Sequence, residues 1–256
     1  MEIKERINLL NEVASKINHD INGQFVQGEI QKLELIEELL KDTDYKVTVI
    51  GLCYLYSKKP IIEMEGSVIV ISSHIDTHKH ITRPFSEIRE EKKLCGTYDN
   101  SITNAAVLTL MLENRLPDNV VIAFTGNEEY GMKGAKDLCK YLRDSKTCAN
   151  VIVTDVTFRG YEGKNTFSLE NSCNSGMWTR QVKEVMNKSD FKWKLEMNYE
   201  DDETCVYGSN GFECFSFCIP TKGEMHDNSG LKTRVSSYNK YIEALCLAVS
   251  ANAIGY

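Results

Sequence analysis

Two histidines and five carboxylates occupy places in this chain where each has chemical capacity. His74 and Asp76 lie in SSHIDTH, two residues apart, so on extended backbone their side chains project to one side. A neutral imidazole is a good ligand for a divalent ion, and a nearby carboxylate can orient it. Alone, such a pair is more often a capped strand end. Asp99 sits in GTYDNSITNAAVL, just before a helix-forming stretch. It reads as a first-turn acid favoured by the helix dipole, or as a carboxylate whose two oxygens reach two metals. Glu128 and Glu129 follow VVIAFTGN on a tight strand-to-helix loop. Adjacent acids there diverge, so one can bind a metal while the other serves as general base; an acid-rich helix start explains the pair equally well. Asp155 follows the apolar VIVT, where a carboxylate is costly unless paired, hydrogen-bonded or metal-bound. His226, after CFSFCIPTKGEM, closes the set.

Taken together these residues form a nitrogen and oxygen donor set without cysteine, which suits zinc, manganese or cobalt rather than a thiolate site. The nine cysteines are scattered with no CxxC pair, and Cys214 and Cys218 lie in an apolar stretch where a thiol packs as a small hydrophobe. A disulfide framework is therefore not expected, and a reducing cytoplasm is.

The elements that must position these groups show in the apolar pattern. Val68–Ile71, Val120–Phe124, Val151–Val153 and Cys214–Ile219 are short runs without alternation, as in strands covered on both faces. Helical stretches at Ile102–Glu113, Met132–Leu142 and Met177–Met186 separate several of them, and Ser237–Ala251 ends the chain as a helix. Ahead of them come two amphipathic helices, over 3–17 and Ile30–Leu40, then a β-rich stretch, Tyr45–Tyr56, for one edge of the sheet. This order predicts a three-layer α/β/α sandwich around a mixed, mostly parallel sheet, with residues 1–256 as one domain. Polar tails follow all four runs: SSHIDTH, TGNEEYG, TDV and PTKGEMH. If the strands run parallel, the tails converge in the crevice at their carboxyl ends, where open α/β sheets bind ligands.

At this point the chain resembles the di-zinc exopeptidase superfamily, metallopeptidase clan MH, which includes bacterial aminopeptidases, peptidase T and related deacylases. The resemblance is carried by SSHIDT, GTYDNS, FTGNEEYGMKGA, VIVTD and IPTKGEMH, in the family's order between residues 72 and 226. It implies two zinc ions per chain, with cobalt or manganese as substitutes. Asp99 would bridge them, His74 and Asp155 would complete one site, and Glu129 and His226 the other. Asp76 would support His74, and Glu128 would be the general base acting on a metal-bridging water. The resemblance also implies a cis Asp99–Asn100 bond. The His74–Asp99 and Asp155–His226 segments are too short for the second domain that many relatives insert. His78 and His80 receive no role from it.

The implied activity is that of an aminopeptidase on short peptides. An N-acyl amino-acid deacylase or a carboxypeptidase with the same metals is the alternative, and a non-catalytic binding relative a third reading. With 37 acids against 30 bases the net charge is −7, which argues against a nucleic-acid partner. MEIKERINLL has no apolar core of signal-peptide length, and no apolar run approaches the length that spans a bilayer. The partner expected is a small peptide or acyl-amino-acid substrate, without nucleic acid or membrane. Residues 80–93 and 196–210 are expected as substrate-facing loops. Their acids Glu196, Glu200, Asp201, Asp202 and Glu203, with Glu224 and Asp227, would form an acidic rim for a protonated α-amino group.

Overall fold

The computed structural model describes residues 1–18, 20–21, 24–25, 30–90, 92–172, 176–197 and 201–251. Its centre is an eight-stranded sheet in the order β11-β10-β12-β9-β5-β8-β4-β3. The four apolar runs are its inner strands: β5 (Val68–His74), β8 (Val120–Thr125), β9 (Ala149–Thr157) and β12 (Glu213–Pro220). They are parallel throughout, with β8 on one side of β5 and β9 then β12 on the other. The β-rich stretch forms an antiparallel pair at one edge, β3 (Lys46–Ile50) and β4 (Cys53–Ser57). At the other edge β10 (Phe167–Glu170) runs antiparallel to β12 and carries the short β11 (Trp193–Leu195).

Because side chains alternate along a strand, each inner strand feeds two cores. Ile69, Ile71, Ile122, Phe124 and Ile152 pack with α1 (Ile3–Ala14), α2 (Gln31–Leu40), α3 (Ser101–Leu112), α5 (Met177–Asn187) and α7 (Val235–Ser250). Val68, Val70, Val121, Ala123, Val151 and Val153 pack with α4 (Lys133–Asp144) and α6 (Glu203–Ser209). The result is the expected three-layer sandwich with a mixed, mostly parallel sheet. The helix α3 is buried on every side from Ser101 to Met111, which is why its sequence lacks a polar face. No described helix is long and apolar enough to cross a membrane. A two-stranded ribbon, β1 (Asp20–Ile21) with β2 (Gln24–Phe25), lies between α1 and α2 in sequence.

Two expected loops are different. Residues 80–93 include β6 (Ser86–Arg89), which pairs with β7 (Lys93–Gly96) in a second, antiparallel sheet. That sheet continues through β14 (Leu231–Arg234) to β13 (Lys222–Gly223). It is built on close glycine contacts: a Cβ at Gly230 (φ +68°) would meet the Gly96 carbonyl at 2.4 Å, and one at Gly223 (φ +139°) the Gly230 carbonyl at 2.3 Å. Residues 196–210 include the helix α6. Its first residue Glu203 is buried away from any rim, whereas its cap Asp202, also buried, lines the cavity over the strand ends. The Glu203 carboxylate accepts from Ser72 Oγ at 2.7 Å, inside the sheet, and burial pushes its pKa up to about 7. Glu196 is engaged by Lys194 at 2.8 Å, and Glu200 lies outside the described residues.

Candidate metal centre

All seven candidate residues meet at the carboxyl ends of the inner strands. The register sets His74, last residue of β5, against Thr125, last of β8, so the 126–129 turn leaves the sheet beside the histidine. Asp155 comes up on β9, opposite Cys218 of β12. The chain departs from β5 to β8 on one side and to β9 on the other, which makes this the topological switch point of the sheet. The outer sheet supplies the other two. Asp99 lies three residues beyond β7, and His226 three beyond β13.

Asp99 is the pivot. Its Oδ1 is 3.2 Å from His74 Nε2, and its Oδ2 is 3.3 Å from His226 Nε2. His74 Nε2 also faces Asp155 Oδ1 at 3.8 Å, and His226 Nε2 faces Glu129 Oε2 at 3.3 Å. One carboxylate thus joins two half-sites, His74 with Asp155 and His226 with Glu129. On the other edge of its ring, His74 Nδ1 lies 3.3 Å from Asp76 Oδ1. The Asp76 carboxylate in turn accepts the backbone N–H groups of Glu128 and Glu129, both at 3.1 Å. Asp76 therefore holds the acid-bearing turn by two hydrogen bonds and faces the imidazole from the other side.

Asp99 is held by the start of α3. The Asp99–Asn100 peptide is cis, as the resemblance implied. Asn100 Nδ2 donates to Thr154 O at 2.7 Å, while Asn104 Nδ2 donates to His74 O at 2.9 Å. These two amides lock the helix start to β9 and β5. The sequence pointed to Asn100 only as the partner in the cis bond, and to neither Asn104 nor Lys32 of α2. Lys32 is 1% exposed and donates to Ile75 O at 3.1 Å and Thr77 Oγ1 at 3.2 Å, beneath the His74–Asp76 segment. Burial lowers its pKa to about 8 although Asp76, Asp99 and Glu129 pull the other way.

The electrostatics show what the protein alone leaves uncompensated. Burial, then the Asp99 carboxylate, pushes Glu129 up to about 8. Burial takes Asp155 up to about 6 against its hydrogen bond to His74, and raises Glu128 well above the carboxylate range. Asp99 moves down, because contacts with His226 and His74 outweigh its burial. The buried Glu129 Oε1 has no hydrogen-bond partner. Crowded carboxylates that resist ionising, around an orphaned oxygen and two imidazoles, fit divalent cations. His74, Asp99 and Asp155 lie close enough to hold one ion, and Glu129 and His226 lie close enough to share another, with Asp99 and His78 beside His226. A cavity of about 200 Å³ opens over them, and beyond the ligands its lining includes Glu128, Glu170, Asn171, Asp201, Asp202 and Met225.

The family model for peptidase family M28 matches residues 59–234, more than half of the chain. The chain belongs to peptidase family M28. It is thus a metal-dependent peptidase of the zinc exopeptidase superfamily that its motifs resembled. No curated protein matches it by sequence. Solved structures share the fold at low identity. A TET aminopeptidase from a marine-sediment Thaumarchaeota archaeon superposes with a TM-score of 0.75 at 12% identity, over 96% of each chain. Aminopeptidase PepT from Bacillus cereus gives 0.71 at 10% identity, over 99% of each chain. The LapA aminopeptidase of Legionella pneumophila gives 0.70 at 9% identity, over 99% of this chain and 71% of that one.

The raised carboxylates give the metal-free protein a definite pH response. A group whose folded pKa exceeds its unfolded value contributes stability that is present below the unfolded pKa and lost as pH rises through the folded one. For Glu129 that window runs from 4.5 to about 8, and for Asp155 from 3.8 to about 6. Chelator-treated protein is expected to melt lower at about pH 8.5 than at about pH 6, and added zinc to restore more at the higher value. A zinc-induced rise in Tm that is no larger at the higher pH would contradict the site.

Proposed function

We propose that this M28 chain is a di-zinc aminopeptidase that removes N-terminal residues from short peptides, acting as one catalytic domain without a lid. The observation that carries the reading is Asp99, whose two oxygens each face a histidine at 3.2–3.3 Å. Two cations, when bound, supply Lewis acidity toward the scissile carbonyl and the attacking water. Asp76 keeps His74 oriented. Glu128 lines the cavity beside the ligands, where its carboxylate would take a proton from the attacking water and return it to the leaving amine. The names of the structural relatives support an aminopeptidase, and the cysteine pattern without a CxxC pair supports a cytoplasmic setting.

Selection of a free amino terminus is assigned to acids that remain at the cleft. Asp201 lines the cavity, and Glu224 and Asp227 flank His226 in the sequence and are exposed. They attract an ammonium group and repel a carboxylate through a salt-screened Coulomb term. The test compares kcat/KM for a short peptide and its N-acetylated twin at low and moderate salt, with zinc, cobalt and manganese. The free peptide is expected to be preferred by about tenfold or more at low salt, an ordinary magnitude for about 1.4 kcal/mol of charge interaction. Equal or faster cleavage of the blocked peptide would move the activity to a deacylase or carboxypeptidase.

A further inference from the structure

The mechanism above leaves His78 and His80 of the HIDTHKH segment unused, yet the structure places His78 beside the centre. Its ring lies against that of His226, centroids 4.3 Å apart and planes 14° from parallel. Tyr130 is nearly parallel to it as well, at 5.9 Å and 15°, and the Tyr130 hydroxyl accepts the Lys79 N–H at 3.1 Å. Tyr130 directly follows Glu129. The three rings therefore connect the turn after β8, the loop after β5 and the loop that carries His226.

His226 needs such a connection more than the other ligands do. Its side chain is 48% exposed, whereas those of His74, Asp99 and Glu129 are 3–6% exposed. A metal-binding imidazole is ordinarily oriented by a hydrogen bond from its second nitrogen. His74 has the Asp76 carboxylate 3.3 Å from its second nitrogen. For His226 the described partners are the two carboxylates at Nε2 and the ring of His78.

We propose that His78 is a positioning residue whose ring, joined to Tyr130, holds the His226 imidazole in the orientation that binds the second ion. This rests on the reading of His226 as a ligand given above. A nitrogen of His78 does lie within 4.8 Å of ligand atoms of Glu129 and His226. Two nearly parallel rings, however, aim their in-plane lone pairs side by side instead of converging on one ion. His78 Nδ1 also accepts the His80 N–H at 3.4 Å. In a neutral imidazole that leaves the proton on Nε2, with no lone pair there for a metal.

The test uses chelator-treated wild-type protein, His78→Ala and His78→Phe, titrated with zinc by calorimetry and with cobalt by visible absorption. Loss of a supporting contact around a metal ligand typically weakens affinity by about 10–100-fold. His78→Ala is expected to weaken one ion within that range and leave the other unchanged. His78→Phe keeps a flat ring without nitrogen and is expected to stay within about threefold of wild type, well inside that loss. His78→Ala binding both ions as wild type does would overturn the positioning role. His78→Phe binding as weakly as His78→Ala would overturn it too, because the nitrogen would then be the ligand. Wild-type protein that takes up a single ion would remove the site reading itself, and the proposal with it.

Discussion

Glu128→Ala is expected to lower kcat by about 10²–10⁴-fold, the usual span for a general base, while two divalent ions stay bound. The separation follows from how the residue is held. Its backbone N–H is fixed by Asp76, so removing the carboxylate leaves the turn that presents Glu129 in place. The contacts that join the two histidines to Asp99, Asp155 and Glu129 do not include its side chain. Elemental analysis together with single-turnover rates decides the matter. A variant that loses an ion would make Glu128 a ligand, and one that turns over normally would remove it as the base.

Asp99→Asn should do the opposite. The amide keeps the shape of the carboxylate but carries no charge, and its nitrogen cannot donate electrons to a cation. Because Asp99 faces both histidines, both ions are weakened by one substitution. Residues that merely support a ligand cost about 10–100-fold in affinity, so the loss here should be at least that for each ion. Protein passed through gel filtration should retain fewer than two ions and have lost its activity. Two tightly held ions in Asp99→Asn would contradict a shared carboxylate. The paired outcome, ions kept without Glu128 and lost without Asp99, distinguishes a base from a bridge.

What could be read from the residues was governed by burial. Val68–Ile71, Val120–Phe124 and Cys214–Ile219 show as strands because both of their faces are covered, and burial leaves an unbroken apolar run. Since polar tails follow those runs, a parallel sheet already implied a common place for His74, Glu129 and His226. The outer sheet left no such trace. Its strands are two to four residues long, and β6 is mostly exposed, so neither length nor alternation marks them. The helix α6 was concealed by its acidic start, since Asp202 and Glu203 suggest a solvated turn until Ser216, Thr204 and Ser72 supply buried partners. Lys32 was hidden by its type: a lysine in an amphipathic helix reads as solvent-facing, and only the packed structure turns it inward. The supporting amides Asn100 and Asn104 do carry a signal, being polar residues at the head of an otherwise apolar helix.

The centre draws its residues from segments of unequal exposure, with the side chain of His226 48% exposed and that of Asp99 6%. His74, Glu129 and Asp155 are presented by the inner strands of the large sheet and Asp99 by the start of α3, whereas His226 lies in the loop between β13 and β14 of the outer sheet. Sub-global opening draws first on elements with few buried contacts. Asn100 and Asn104 keep Asp99 with the large sheet, so opening of the exposed loop after β13 would take His226 away and leave the shared carboxylate and the hydrophobic core in place. Such an opening would cost one half-site without unfolding the chain. A preparation can keep its circular dichroism and its Tm and still be inert, so the proportion of competent molecules has to be counted by active-site occupancy rather than by spectroscopy.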